Sequence, residues 1–373
     1  MTFATEAQHI ETQAPKQSFK AHEFIKVVDD EHDPLHICIN EKPGRARQSR
    51  KPKTHSVTPC FTSQSLLVVR NSMHPENRIS TPIPISGFTV IRNARLMGYP
   101  VLESIRSLLP LVDEFVIGLG QSDDDTRAMI ESLKSPKIKI FDSFWDTLKT
   151  KGGLILSEKT NEALAHCKND WCFYIQADEV VHEADLAIVR AAVDKVDANK
   201  NVDGLLFNYI HFYGSYHTEA ASRRWYRNEV RVVRRSSGIQ SHNDAQGFRV
   251  PTSTGVVKPS VVRTSARIFH YGWVKPPKMM GQKSKLLNRW WHGNKRDHEF
   301  ENFEYARQYG LRLYNGTHPA VMQDLVKAQD WDFDPRRALS DWTLKDVNLW
   351  ASDMLEATTG YRIGEYRPYK LVK

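Results

Sequence analysis

DWCFYIQADEVVH, residues 170 to 182, is the stretch on which the reading of this chain turns. An apolar, aromatic run from Trp171 to Ile175 has the length and composition of a buried strand. It ends abruptly in Gln176-Ala177-Asp178-Glu179, with His182 and Glu183 close behind. Two adjacent carboxylates with no Lys or Arg among the five residues on either side repel each other unless a cation or a partner relieves them. Oxygen ligands at a rigid strand end suit Mg²⁺ or Mn²⁺, which commonly share their coordination with substrate phosphates. A plainer reading makes Asp178 and Glu179 a solvated turn, with Glu179 to Glu183 capping the next helix. Both stand at this point.

Upstream, the segments alternate. ISGFTVIRN reads as a buried strand, and YPVLESIRSLLPLV has helical spacing at Val101, Ile105, Leu108 and Leu109. DEFVIGLG is a second strand, and DDTRAMIESLKS a second helix with Asp123 or Asp124 as its cap. KIKIFDSF, GLILSEKTNEALAHCK and DWCFYIQ follow as strand, helix and strand. This alternation with short connections predicts right-handed crossovers and a parallel sheet, in which ligands bind at the carboxyl ends of the strands. Those ends are Arg92-Asn93, Gly118 to Asp125, and Gln176 to Glu179, so the acidic pair falls on the ligand edge. Glycines in GLGQSDDDT permit close approach to a nucleotide, although the loop matches neither a P-loop nor GxGxxG. Downstream of a helix in EADLAIVRAAVDKV, the long strand VDGLLFNYIHFYGSY is followed by strands EVRVVRR and ARIFHYGWV, and then by two helical segments, one basic and one Trp-rich.

The bulk properties narrow the class. The 373 residues carry 52 Lys+Arg against 44 Asp+Glu, a net charge of +8 that suits anionic ligands and does not by itself indicate nucleic acid. Cys38, Cys60, Cys167 and Cys172 form no CxxC pair, so neither a disulfide framework nor a zinc site is signalled. The polar start has no secretory signal, and no apolar run reaches the ~20 residues that span a bilayer. A soluble, cytoplasmic protein is expected. Residues 1–84, with the aperiodic basic run Lys42 to Lys53, read as a disordered or loosely structured extension. Residues 85–275 read as the main domain and 276–373 as a helical extension packed on it.

Taken in order, GFTVIRNA, VIGLGQSDDDT, EKTNEAL and FYIQADE resemble the motifs of the glycosyltransferase family-2-like group. The likeness covers about residues 85 to 275. It implies a GT-A fold: α/β, Rossmann-like, with a mostly parallel central sheet flanked by helices, a mixed C-terminal sheet part and C-terminal helices. It also implies transfer from a nucleotide-sugar donor, a UDP- or GDP-sugar, with Mn²⁺ or Mg²⁺ at a DxD-like motif. Asp178 matches the metal-binding acid, with Glu179 beside it and Gln176 where the first acid is usual. Leu119 stands where the family has the acid that grips the base. Arg92, Asn93, Asp124, Lys159, Asn161, Gln176 and Ala177 fall at donor-binding positions. The late His270, in RIFHYGWV, matches a histidine that completes the metal site, or is a core histidine. For the base of an inverting transfer, the loop GIQSHNDAQGFRV offers Asp244 first and His242 second.

Other readings remain open. One is a catalytically silent GT-A-like protein that binds a nucleotide or glycan; another is a nucleotidyltransferase. A nucleic-acid partner is not expected. The basic, Met- and Trp-bearing segment 278–296 either lies on an anionic membrane surface, bringing the protein to a glycan or lipid-linked acceptor, or packs its apolar stripe on the domain with a solvated basic face.

Overall fold

The structure, a computed structural model, describes residues 81–146, 153–292, 298, 300–336, 343–362 and 365–372. The expected N-terminal extension, apart from residues 81–84, lies outside the described residues, as does the end of the basic segment at 293–296.

The first half builds the alternation the sequence announces. Strands β1 (Ile85–Ile91), β2 (Glu114–Gly120), β3 (Ile138–Ser143) and β4 (Trp171–Tyr174) are separated by helices α1 (Val101–Leu108), α2 (Thr126–Glu131) and α3 (Leu154–His166). All four strands are parallel, in the order β3-β2-β1-β4. Residues of β1, β2 and β4 are buried almost throughout, which continuous apolar runs covered on both faces produce. Helix α1 buries Val101, Ile105 and Leu108, the stripe its spacing predicts.

The second half turns the sheet mixed. After β5 (Glu179–Val181) and α4 (Leu186–Val196) come β6 (Gly204–Tyr213), β7 (Thr218–Ala220) and β8 (Asn228–Arg234). A small sheet of β9 (Gln240–His242), β10 (Gly247–Thr252) and β11 (Gly255–Val257) precedes the 14-residue β12 (Ser260–Trp273). Strand β8 is antiparallel to β4 and to β6, while β12 runs parallel to β6 and antiparallel to β5. The expected α/β architecture, with its parallel half, mixed C-terminal part and flanking helices, is therefore the one the chain adopts.

Residues 276–373 contribute α5 (Pro277–His292), α6 (Gln323–Lys327) and α7 (Leu344–Thr359), and also strands β13 (Leu311–Leu313) and β14 (Lys370–Leu371), which join the sheet through β7 and β12. Helix α5 does not present a uniformly solvated basic face. Lys278, Gln282 and Arg289 are exposed, but Met280 and Lys283 point inward, Lys283 only 6% exposed. No helix among the described residues is long and apolar enough to cross a membrane.

Candidate functional site

A cavity of about 290 Å³ opens at the carboxyl edge of the parallel strands. Arg92 after β1, Gln176, Ala177 and Asp178 after β4, Asp244 and Gln246 from the β9–β10 loop, and Lys283 of α5 supply its polar wall. Tyr99, Trp145, Leu156 and Tyr226 supply much of the rest. Pieces far apart in sequence thus converge on the edge where parallel sheets hold ligands.

The acidic pair at 178–179 is divided between two tasks. Glu179 is fully buried and accepts from Arg231 at 2.8 and 3.0 Å, from the Tyr209 hydroxyl at 2.8 Å, and from the Gln176 amide at 3.1 Å. Its oxygens are committed to a buried ion pair and to closing the turn 176–179, so Glu179 leaves the expected metal set. The solvated-turn reading fails as well, because Asp178 is only 8% exposed. The turn that Glu179 closes carries Asp178 into the cavity wall. Burial works to raise the Asp178 carboxyl, but the ammonium of Lys283, with His270 and Lys275, outweighs it and holds the group well below the usual carboxylate range.

Strand β12 brings His270 to this carboxylate. Its pairing with β5 places His270 opposite Glu179, and the Tyr271 amide donates to the Asp178 carbonyl at 2.8 Å. His270 Nε2 lies 3.9 Å from Asp178 Oδ2. Burial lowers the pKa of both His270 and His211, so both rings are neutral near pH 7. Their hydrogen bonds then fix the tautomers. The Tyr226 carbonyl can only accept, so His211 donates to it through Nε2 at 2.7 Å. His211 Nδ1 consequently accepts from His270 Nδ1 at 3.0 Å. The remaining nitrogen of His270, Nε2, carries a lone pair directed at the Asp178 side, the state in which a histidine binds metal.

This arrangement fits a divalent cation. His270 Nε2 and Asp178 Oδ2, 3.9 Å apart, are nitrogen and oxygen donors of the types that such cations take. Room for it exists because residue 272 is glycine. A Cβ there would lie 2.6 Å from His270 Nε2 and 2.8 Å from Asp178 Oδ2. Among the described residues no cluster of three or more acidic, His or Cys side chains is assembled for a metal.

Sequence reasoning missed the lysines. Lys283 Nζ is 3.1 Å from Asp178 Oδ2 and donates to the Gly272 carbonyl at 2.8 Å. It stands 4.8 Å from the centre of the Tyr99 ring, and Lys275 Nζ stands 5.4 Å from the same ring. Burial lowers both lysine pKa values, and Asp178 works the other way. The sequence signal was faint: a basic helix normally turns its lysines to water.

Several expected donor-binding residues stand elsewhere. Asn93, in the left-handed region at φ 54°, exchanges bonds of 2.7 and 3.0 Å with Asp123 and shapes the loop beneath Arg92. The N-cap of α2 is Asp125, not the expected Asp123 or Asp124, and makes no side-chain cap bond. Asp124 accepts from the Thr126 amide and hydroxyl and from the Leu96 amide at 2.9 Å, so it braces two loops and does not line the cavity. Lys159 pairs with Glu158 and Glu162 on α3. Asn161 is neither exposed nor at the cavity; it donates to the Ser241 carbonyl at 3.1 Å and accepts from the Ser241 amide at 2.7 Å, tying β9 to α3. His242 lies in β9 outside the cavity lining, whereas Asp244 lines it. Asp244 sits between Asn243 and Ala245, both in the left-handed region at φ 54° and 64°, a strained loop that aims one carboxylate inward. Burial raises its pKa. The glycines at the end of β2 make room for side chains: a Cβ at Gly120 would meet the Trp145 ring at 2.7 Å.

No protein-family model matches the chain, and no curated protein matches it. Solved structures similar to parts of it include S. aureus TarS, 15% identical over 55% of this chain and 39% of that one, with a TM-score of 0.33. A shorter form, TarS 1-349 in complex with UDP, is 13% identical over 56% and 65%, also at 0.33. The glucosyl-3-phosphoglycerate synthase of Mycobacterium tuberculosis, in complex with Mn²⁺, UDP and glucosyl-3-phosphoglycerate, is 19% identical over 35% and 45%, at 0.26. The chain spans less than two thirds of the length of each of these proteins.

Proposed function

We propose that this protein is a glycosyltransferase that takes a sugar from a nucleotide-sugar donor, a UDP- or GDP-sugar, and passes it to an acceptor hydroxyl with inversion. One observation carries the reading: Asp178 and Nε2 of His270, 92 positions apart in sequence, meet beside a cavity at the carboxyl edge of a parallel sheet. Asp178 and His270 would hold Mn²⁺ or Mg²⁺. When bound, that ion would neutralise charge on the departing nucleoside diphosphate.

The chain's own residues supply the remaining functions. Arg92 and Lys283 are the cationic side chains that line the cavity, placed to receive phosphate oxygens. Trp145, Tyr174 and Leu156 offer apolar surface for the nucleoside or sugar. Gln176 and Ala177 bring main chain and a neutral amide to the same wall. Asp244 is the base for the acceptor hydroxyl. Its raised pKa makes it a stronger proton acceptor than a solvated aspartate and keeps it ionised only above that raised value.

The test is binding and turnover over a panel of UDP- and GDP-sugars with Mn²⁺ or Mg²⁺. Asp178→Ala should abolish cation-dependent nucleotide binding; unchanged binding would end the reading. Asp244→Asn should bind donor normally and lose transfer by roughly 10²–10⁴-fold, and the rise of wild-type rate with pH should vanish with it. A protein that binds donors and transfers to no acceptor under any condition would instead be a nucleotide-sugar binder.

A further inference from the structure

We propose that Lys283 is the counter-ion of Asp178 in the donor-free protein and gives up that place when a nucleoside diphosphate arrives with its cation. The two ligands then bind as a coupled pair. This rests on the donor-site reading above and adds to it a mechanism of regulated occupancy.

The geometry makes the two cations competitors. Lys283 Nζ sits 3.1 Å from Oδ2 of Asp178, the same oxygen that faces His270 Nε2. Asp178 is a buried carboxylate, and an uncompensated charge there is strongly unfavourable, so the lysine satisfies it while no other cation is present. A divalent ion bound to that oxygen would stand within a few ångströms of the ammonium in a desolvated site, where like charges repel strongly. Metal alone must therefore displace a resident ion pair and strand a buried ammonium. A diphosphate removes the second cost. Lys283 already lines the cavity, its four-carbon stem can redirect Nζ, and phosphate oxygens accept the hydrogen bonds that the carboxylate relinquishes. The Gly272 carbonyl at 2.8 Å and the Tyr99 ring hold the ammonium near the cavity. Lys275 donates to the Gly98 carbonyl at 2.9 Å and lies 5.4 Å from the centre of the same Tyr99 ring.

Reciprocity then requires that UDP strengthen Mn²⁺ binding by the factor by which Mn²⁺ strengthens UDP binding. The experiment measures Mn²⁺ binding to the full chain by electron paramagnetic resonance of the free ion, with and without UDP or GDP, for wild type and Lys283→Met. Wild type should bind Mn²⁺ at least about tenfold more tightly with the matching nucleotide than alone. Lys283→Met should bind Mn²⁺ alone about tenfold more tightly than wild type, and should lose about tenfold in affinity for the nucleotide. Unchanged or weaker Mn²⁺ binding by Lys283→Met overturns the proposal. Should that variant fail to fold, Lys283→Gln, which can still donate to the Gly272 carbonyl, is read by the same criteria. Asp178→Asn in the Lys283→Met background separates the two levels: it should abolish Mn²⁺ binding. Retained binding there would remove the donor-site reading itself, whatever Lys283 does.

Discussion

Gly272 lies against both side chains proposed above to hold a cation. A methyl at this position would stand 2.6 Å from His270 Nε2 and 2.8 Å from Asp178 Oδ2, closer than Cβ atoms come to other heavy atoms, so one of the two groups must move. Gly272→Ala is therefore expected to weaken Mn²⁺-dependent nucleotide binding at least about tenfold while leaving the fold cooperative, since only a methyl is added at the cavity edge. Calorimetric titration alongside thermal unfolding checks it; wild-type affinity in the alanine variant would show that the gap is not used. At this scale the sequence disclosed some residues and hid others. That Asp178 and Asp244 would line the cavity, with His270 beside Asp178, could be anticipated because each is a polar or titratable group standing out from its local sequence. Glu179 was misread because its partner, Arg231, lies 52 positions away on another strand, and local spacing cannot show such a pair.

Among the elements, α3 and β9 show how the loop carrying Asp244 is held. The Asn161 amide bonds the backbone of Ser241 in both directions, three residues before Asp244. Without that clamp the strained turn through Asn243 and Ala245 has one fewer restraint, and unfavourable φ angles relax unless the surroundings over-determine them. Asn161→Ala should cost about 1–3 kcal/mol of stability through the two unmet backbone groups. It should also lower the rate of transfer more than the affinity for donor. Equal loss of both, or of neither, would assign Asn161 a different role. Strands β1, β2 and β4 and helix α1 could be read from the sequence because apolar runs and helical spacing are local signals. The burial of Lys283 could not, since the direction a helix faces depends on what it packs against.

Across the molecule, the chain stores charge in the sheet interior, and pH reaches it. Glu229 on β8 is 2% exposed, and burial pushes its pKa up to about 8 despite Arg231 nearby. Its ordinary value is 4.5, so between 4.5 and about 8 the folded protein keeps a proton that the unfolded chain has released. Stability contributed by this group is thus greatest below 4.5 and declines as pH rises through that window. Glu229→Gln should remove the decline, gaining of the order of 4 kcal/mol relative to wild type at pH 8 and little at pH 4. Denaturant titrations at the two pH values check the sign; an equal effect at both would rule out the protonation account. The parallel half of the fold was evident from alternation alone. The mixed half was less so, because β12 extends six residues before the stretch that sequence marked as strand, and its pairing with β5 and β6 is a matter of tertiary register.

That register has a further consequence. His270, Gly272, Lys275 and Lys283 occupy one continuous piece of chain, whereas Asp178 belongs to the half that precedes it. The two come together only when β12 zips onto β5 across about ninety residues of intervening sequence. During synthesis the first half can assemble its parallel strands before that piece has been made, yet it would hold an unneutralised carboxylate and no donor site. On the donor-site reading proposed above, competence to bind a nucleotide sugar would appear only once β12 has paired with β5, and ligand affinity would report that closure.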